Sequence, residues 1–121
     1  MADNVIEMKP SRVAVSRIGN RTILTPKESI THLNFEAVES RIKQCAEQRI
    51  SEIVLDCKSV SFMDSEALEC LLRAHEDIKN RRGVLKIISL NPVCRDIFLA
   101  TRLVNTLYVY EDIHEAIKDR T

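Results

Sequence analysis

The stretch I-V-L-D-C-K-S-V-S-F-M-D-S-E-A-L-E-C-L-L, residues 53 to 72, decides the fold. It opens with a continuous apolar run, Ile53-Val54-Leu55, which ends at Asp56 and is typical of a strand covered on both faces. A short connection, Lys58 to Met63, follows. A helix is then predicted from Ser65 to Arg82, because apolar residues recur there at helical spacing. The stripe consists of Leu68, Leu71, Leu72, His75 and Ile78.

The alternation of strands and helices continues on both sides of this stretch. Upstream, two β-prone runs joined by Gly19-Asn20 predict a hairpin, and a helix follows. Downstream, Gly83 is predicted to end the second helix in a left-handed conformation, and Pro92 suits a first helical position. The further elements are strands at 12–18, 21–25, 84–89 and 107–110 and helices at 34–48, from 91 onward and at 112–119. The order predicts an α/β fold with a mixed, mostly parallel sheet of four or five strands, a hairpin strand at one edge and about four flanking helices.

Charge and length exclude several classes of function. The 121 residues suit one domain, and 18 basic side chains balance 18 acidic ones. Nucleic-acid binding is not expected, because phosphate backbones require clustered positive charge. Residues 1–10 contain no apolar core of signal-peptide length, and no run is long enough to span a membrane. We therefore expect a cytoplasmic protein without membrane insertion.

Metal, cofactor and catalytic sites are not expected either. The cysteines, Cys45, Cys57, Cys70 and Cys94, lie in apolar segments without zinc-ligand spacing, so we interpret them as reduced core residues. With only two glycines, the chain has no glycine-rich phosphate loop. Cys57 and His75 are the one thiol and imidazole pair to consider, but His75 shares an apolar stripe. The sequence predicts a protein that is not an enzyme.

Polar residues gather where the strands are predicted to end. Asp56, the turn Phe62-Met63-Asp64-Ser65 and Asn91 all belong to the carboxyl edge of the sheet, where functional loops of parallel sheets lie. Ser65 or Asp64 is suited to cap the helix, and a phosphate on Ser65 would also be favoured at a helix start. Residue type alone favours capping. Phe62 and Met63 either contact a partner or anchor the loop on the core.

The stretch from Ile53 to Leu72 resembles the core motif of the STAS family. That family includes the bacterial anti-sigma factor antagonists (SpoIIAA-like proteins) and the cytosolic tails of sulfate transporters. Its pattern is an apolar strand ending in Asp, a short loop, and an apolar-apolar-Asp-Ser helix start. The resemblance extends over about residues 12 to 118, so we expect a lead-in at 1–11 and a STAS domain at 12–119.

The resemblance implies a function for Ser65. It falls on the serine that switch-type members present to a partner kinase, which is also the anti-sigma factor and has the histidine-kinase-like ATPase fold. The unphosphorylated antagonist then binds the anti-sigma factor, phosphorylation ends the binding, and a PP2C-type phosphatase is a possible further partner. The implied partner surface consists of Asp56, Phe62, Met63, Asp64, Ser65, Glu66 and Asn91.

Two alternatives stay open. Glu66 and Ala67 stand where the family usually has a small hydroxyl residue and a glycine, and Glu66 would suit a STAS docking subunit of a signalling or transport complex that works without phosphorylation. A receiver-like domain phosphorylated on Asp56 is the weaker alternative. It would need a carboxylate pair after the first strand to hold Mg²⁺, and Arg17-Ile18-Gly19 stands there instead.

Overall fold

The computed structural model describes residues 12–119, in which a five-stranded sheet is flanked by helices. The predicted lead-in, 1–11, lies outside the described residues. The strands are β1 (Val13–Ile18), β2 (Arg21–Pro26), β3 (Glu52–Asp56), β4 (Val84–Ile88) and β5 (Tyr108–Tyr110). The helices are α1 (Phe35–Glu47), α2 (Ser65–Asn80), α3 (Pro92–Ala100) and α4 (Ile113–Lys118), with a 3-10 turn at Leu103–Asn105.

The strands lie side by side in chain order, β1-β2-β3-β4-β5. The β1–β2 hairpin is antiparallel, and every later pairing is parallel, so the predicted mixed sheet with an edge hairpin is confirmed. Crossovers that all advance in one direction place α1, α2 and α3 on one face of the sheet. A receiver-like domain would instead have the flavodoxin-like order 2-1-3-4-5, so the topology does not support that alternative.

Two apolar layers explain why the three central residues of β3 are all apolar. Ile53 and Leu55 belong to the larger cluster beneath α1, α2 and α3. Val54 points to the other face and packs in a smaller cluster with Ala116 of α4. Both faces of β3 are therefore covered, as the continuous apolar run predicts.

A buried lysine, which the sequence analysis does not predict, lies on the face of the sheet that α4 covers. Lys86 of β4 is fully buried, and its Nζ donates hydrogen bonds of 2.6 Å to the carbonyl oxygens of Ala116 and Asp119. The same Nζ lies 3.5 Å from the Glu52 carboxylate. Lys86 thus satisfies carbonyls at the end of α4, as a cation at a helix C-terminus does.

The prediction for Gly83 is wrong about its conformation. Arg82, not Gly83, adopts the left-handed region at the end of α2, with φ of 66°. The Gly83 amide donates to the Ile78 carbonyl at 2.9 Å, so the chain turns tightly against the helix. A Cβ at Gly83 would lie 3.1 Å from Ile78 Cγ2 and 3.2 Å from the Ser51 carbonyl oxygen. The glycine is therefore required by close packing between α2 and the chain before β3.

Candidate functional site: the surface around Ser65

Three loops meet at the carboxyl edge of the parallel strands. The Ile30 amide donates a hydrogen bond to the Phe62 carbonyl oxygen at 3.1 Å, and the Asp64 amide donates one to the Ile30 carbonyl oxygen at 3.3 Å. The Asn91 side-chain amide donates to the Ser61 carbonyl at 3.2 Å. These bonds join the segments 27–34, 57–64 and 89–91. We call the surface formed by these segments, together with the helix starts at Ser65-Glu66 and Pro92-Val93, the Ser65 surface.

Asp64 caps α2 and also fastens the neighbouring loop. Its Oδ1 accepts a hydrogen bond from the Ala67 amide at 2.9 Å, as an N-cap does. Its Oδ2 accepts from the His32 amide at 2.8 Å and lies 2.8 Å from His32 Nδ1. The hydrogen bonds from His32, with that from Ala67, lower the pKa of Asp64 to about 2. The same side-chain hydrogen bond to Asp64 raises the pKa of His32 above its ordinary value.

Ser65 is the first residue of α2 and is exposed. Because Asp64 performs the capping, the Ser65 hydroxyl is not needed for it. Glu66 is also exposed and lies in the first turn of the helix, where a carboxylate interacts favourably with the helix dipole. Ser65 therefore presents a free hydroxyl next to a carboxylate, at a position that solvent and a partner protein can reach.

Exposed apolar side chains lie on the segments that form the Ser65 surface. Phe62 is 47% exposed, Leu33 is 83% exposed, and Val93 near the start of α3 is half-exposed. Leu33 is not in the predicted partner surface, and Val93 is expected on the buried face of the helix that follows Asn91, because the sequence gives no sign that an apolar residue beside a helix start is exposed. Of the two roles considered for Met63, partner contact is wrong and loop anchoring agrees with the structure: at 1% exposure Met63 packs in the core, and it pairs as an isolated bridge with Ile30.

Asp56 and Asn91 lie at the surface but have structural partners. Asp56 is partly buried, and its Oδ1 accepts from the Lys58 amide at 3.1 Å, which orders the turn after β3. Asn91 caps α3 by accepting from the Cys94 amide at 2.7 Å, while its amide nitrogen is bonded to the loop of Ser61. Both residues shape the Ser65 surface by fixing the loops that form it.

The cysteines and His75, considered above as reactive groups, are buried in the structure. All four cysteines are free and buried, and burial raises the pKa of the Cys57 thiol far above its ordinary value. His75 is buried and meets Tyr108 edge to face, with 5.7 Å between ring centroids. Within residues 12–119, no cluster of His, Cys, Asp and Glu has the arrangement of a metal site. None of the helices in that range has the length and apolar character needed to cross a bilayer.

Solved structures with this fold include several anti-sigma factor antagonists. A Thermotoga maritima protein assigned to that class superposes with a TM-score of 0.82, at 19% identity, over 88% of this chain and 92% of its own. An antagonist from Mycobacterium paratuberculosis gives a TM-score of 0.79 at 20% identity, covering 88% and 90% of the two chains. Phosphorylated SpoIIAA from Bacillus gives 0.65 at 18% identity, covering 88% and 96%. At these identities the likeness shows the fold.

Two sequence comparisons give matches, one to part of a curated protein and one to a family profile. A segment of 64 residues, 53% of the chain, is 31% identical to the mitochondrial inner membrane protease ATP23 of Yarrowia lipolytica. That match spans only 25% of the curated relative's length. The STAS domain profile, in contrast, matches residues 12–116. Because that match covers nearly the whole described region, and its sheet and Asp-Ser helix start are those that the sequence motif predicts, the chain belongs to the STAS domain family.

Proposed function

We propose that this protein is an anti-sigma factor antagonist that binds a serine-kinase anti-sigma factor through the Ser65 surface. In this proposal the partner binds the unmodified protein and phosphorylates Ser65, and the added phosphate ends the binding. The protein is then a binding partner and a kinase substrate, and it contributes no catalytic groups.

One observation carries the proposal. Ser65 is exposed at the first position of α2 while Asp64 performs the capping. A serine that served as the cap would have its hydroxyl engaged with the helix amides, and modification would remove that cap. Here the hydroxyl is available, and helix-start amides favour a bound phosphate.

The surroundings of Ser65 explain how a phosphate would act on binding. Exposed Phe62 and Leu33 offer apolar contact area on the Ser65 surface. A phosphate adds a charge of about −1.5 to −2 at pH 7. Glu66 already places a carboxylate in the same turn, so the modified surface would combine several negative charges with apolar groups. A partner that covers this area would have to bury those charges, which is costly unless it supplies cations.

The proposed partners are a kinase and a phosphatase that act on Ser65. The kinase is an anti-sigma factor of the histidine-kinase-like ATPase fold, and a PP2C-type phosphatase would reverse the modification. Such a system places the protein in the cytoplasm. SpoIIAA, whose fold this chain shares, has been solved in a phosphorylated form, which supports a similar modification here.

A second candidate function is that of a STAS docking subunit in a signalling or transport complex. Glu66 is the observation that favours it, because an exposed carboxylate directly after Ser65 provides a permanent negative charge. A docking subunit would bind its partner through the same surface without modification.

Kinase labelling distinguishes the two candidates. The protein is incubated with ATP and a kinase encoded near its gene, and phosphorylated positions are mapped by mass spectrometry. The switch predicts one phosphate on Ser65 that is absent from Ser65→Ala and retained in Ser51→Ala, an exposed serine at the opposite end of β3. A kinase that binds the protein and never labels Ser65 would favour the docking subunit.

A further inference from the structure

His32 and Asp64 form a contact that bears on the regulation of Ser65. Asp64 Oδ2 accepts a hydrogen bond from the His32 amide at 2.8 Å and lies 2.8 Å from His32 Nδ1. The Oδ1 of the same carboxylate is bonded to the Ala67 amide of α2. The residue directly before Ser65 therefore holds the helix start with one oxygen and the imidazole with the other. The imidazole remains more than half exposed, at 55%.

The charges around His32 come from the start of α2. Asp64 and Glu66 both raise the pKa of His32, and the hydrogen bond to Asp64 is the largest cause. Glu28, in the loop that contains His32, is paired with Arg12. Ser65 lies between Asp64 and Glu66 in the chain, so a negative charge on its side chain would add to the charges that favour the protonated imidazole.

We propose that His32 senses the charge on Ser65, an inference that rests on the proposed phosphorylation of that serine. The protonated imidazole is the form that pairs with the Asp64 carboxylate, and a phosphate on Ser65 stabilises that form further. Because the coupling between two charges is reciprocal, protonated His32 also stabilises phosphoserine and offsets part of its negative charge. At a pH near the pKa of His32, phosphorylation is therefore accompanied by proton uptake at the imidazole, so the net charge of the Ser65 surface changes by less than the charge of the phosphate. Where His32 is fully protonated or fully neutral in both forms, the net charge changes by the full amount.

An NMR titration of the histidine resonances tests this coupling without any partner protein. The variants are Ser65→Glu, which carries a negative charge, and Ser65→Gln, which has nearly the same shape and no charge. Exposed charges on neighbouring side chains shift each other's pKa by about 0.2–0.7. We expect the pKa of His32 to be higher by that amount in Ser65→Glu than in Ser65→Gln. His75 and His114 serve as internal references, and His32→Asn assigns the resonance.

A second variant tests the contact itself. Asp64→Asn keeps a side chain that caps helices well and removes the charge, so the protein should fold while the pKa of His32 falls. Equal His32 pKa values in Ser65→Glu and Ser65→Gln would overturn the proposal, and so would a His32 pKa that Asp64→Asn leaves unchanged. Kinase labelling of Ser65 is measured separately, so failure of the titration and failure of the proposed function give different results.

Discussion

Replacement of Phe62 by alanine should weaken partner binding strongly while the protein stays folded. Phe62 is 47% exposed on the Ser65 surface. A phenylalanine side chain offers about 200 Å², so about 90 Å² remains for a partner to bury. At about 25 cal/mol per Å², that burial contributes about 2 kcal/mol, or roughly a 30-fold change in Kd. We expect this full loss of affinity because aromatic residues near the centre of a contact contribute most to binding.

Isothermal titration calorimetry with the cognate anti-sigma factor measures this change. Ile18→Ala is the matched control, because Ile18 is 45% exposed and lies at the opposite end of the sheet. We expect Ile18→Ala to bind like the wild type, and both variants to retain the wild-type circular dichroism spectrum. Equal loss of affinity in the two variants, or unchanged affinity in Phe62→Ala, would refute the assignment of this surface.

Three further predictions concern the groups that support the site. Gly83→Ala should lower the free energy of unfolding in urea by about 1–3 kcal/mol, because the added Cβ overpacks Ile78. Arg82→Gly should not lower it, because Arg82 already has positive φ. A larger loss of stability in Arg82→Gly than in Gly83→Ala would contradict the packing role of the glycine. Asn91→Ala should cost about 1 kcal/mol or more through loss of the α3 cap, and Asn91→Ser should be more stable than Asn91→Ala, because both variants lose the bond to Ser61 and only serine keeps a capping oxygen; equal stability of the two variants would contradict the cap. The pKa of Asp64 is about 2 in the folded protein against an ordinary 3.8, so its contribution to stability is present above about pH 4 and is lost as pH falls toward 2. The pKa of His32 is raised, so its contribution is present below pH 6.5 and is lost as pH rises through the folded value; Asp64→Asn should remove both dependences from the unfolding free energy.

The architecture follows from local patterns in the sequence. The apolar run at Ile53-Val54-Leu55 predicts a strand buried on both faces, and the structure covers it with α2 on one side and α4 on the other. Asn91-Pro92 predicts a helix start, and the Asn91 side chain caps α3 there. Each of these signals depends on residues close together in the chain, which is why sequence patterns reveal them.

The parts that the sequence does not reveal depend on distant contacts. His32 and Asp64 are 32 residues apart, and nothing near His32 indicates that its imidazole meets that carboxylate. The burial of Met63 next to exposed Phe62 depends on the bridge to Ile30, formed when the loops meet. The left-handed residue after α2 is Arg82, and the room for a side chain at Gly83 is taken by Ile78 and by Ser51, which lies 32 residues earlier in the chain.

The central claim is that a phosphate on Ser65 ends partner binding. Its most direct test is the affinity of the anti-sigma factor for the protein phosphorylated stoichiometrically on Ser65, compared with the unmodified protein in the same buffer. The account predicts tight binding of the unmodified protein and a loss of at least about tenfold after phosphorylation, equivalent to about 1.4 kcal/mol. Equal affinity of the two forms would contradict it.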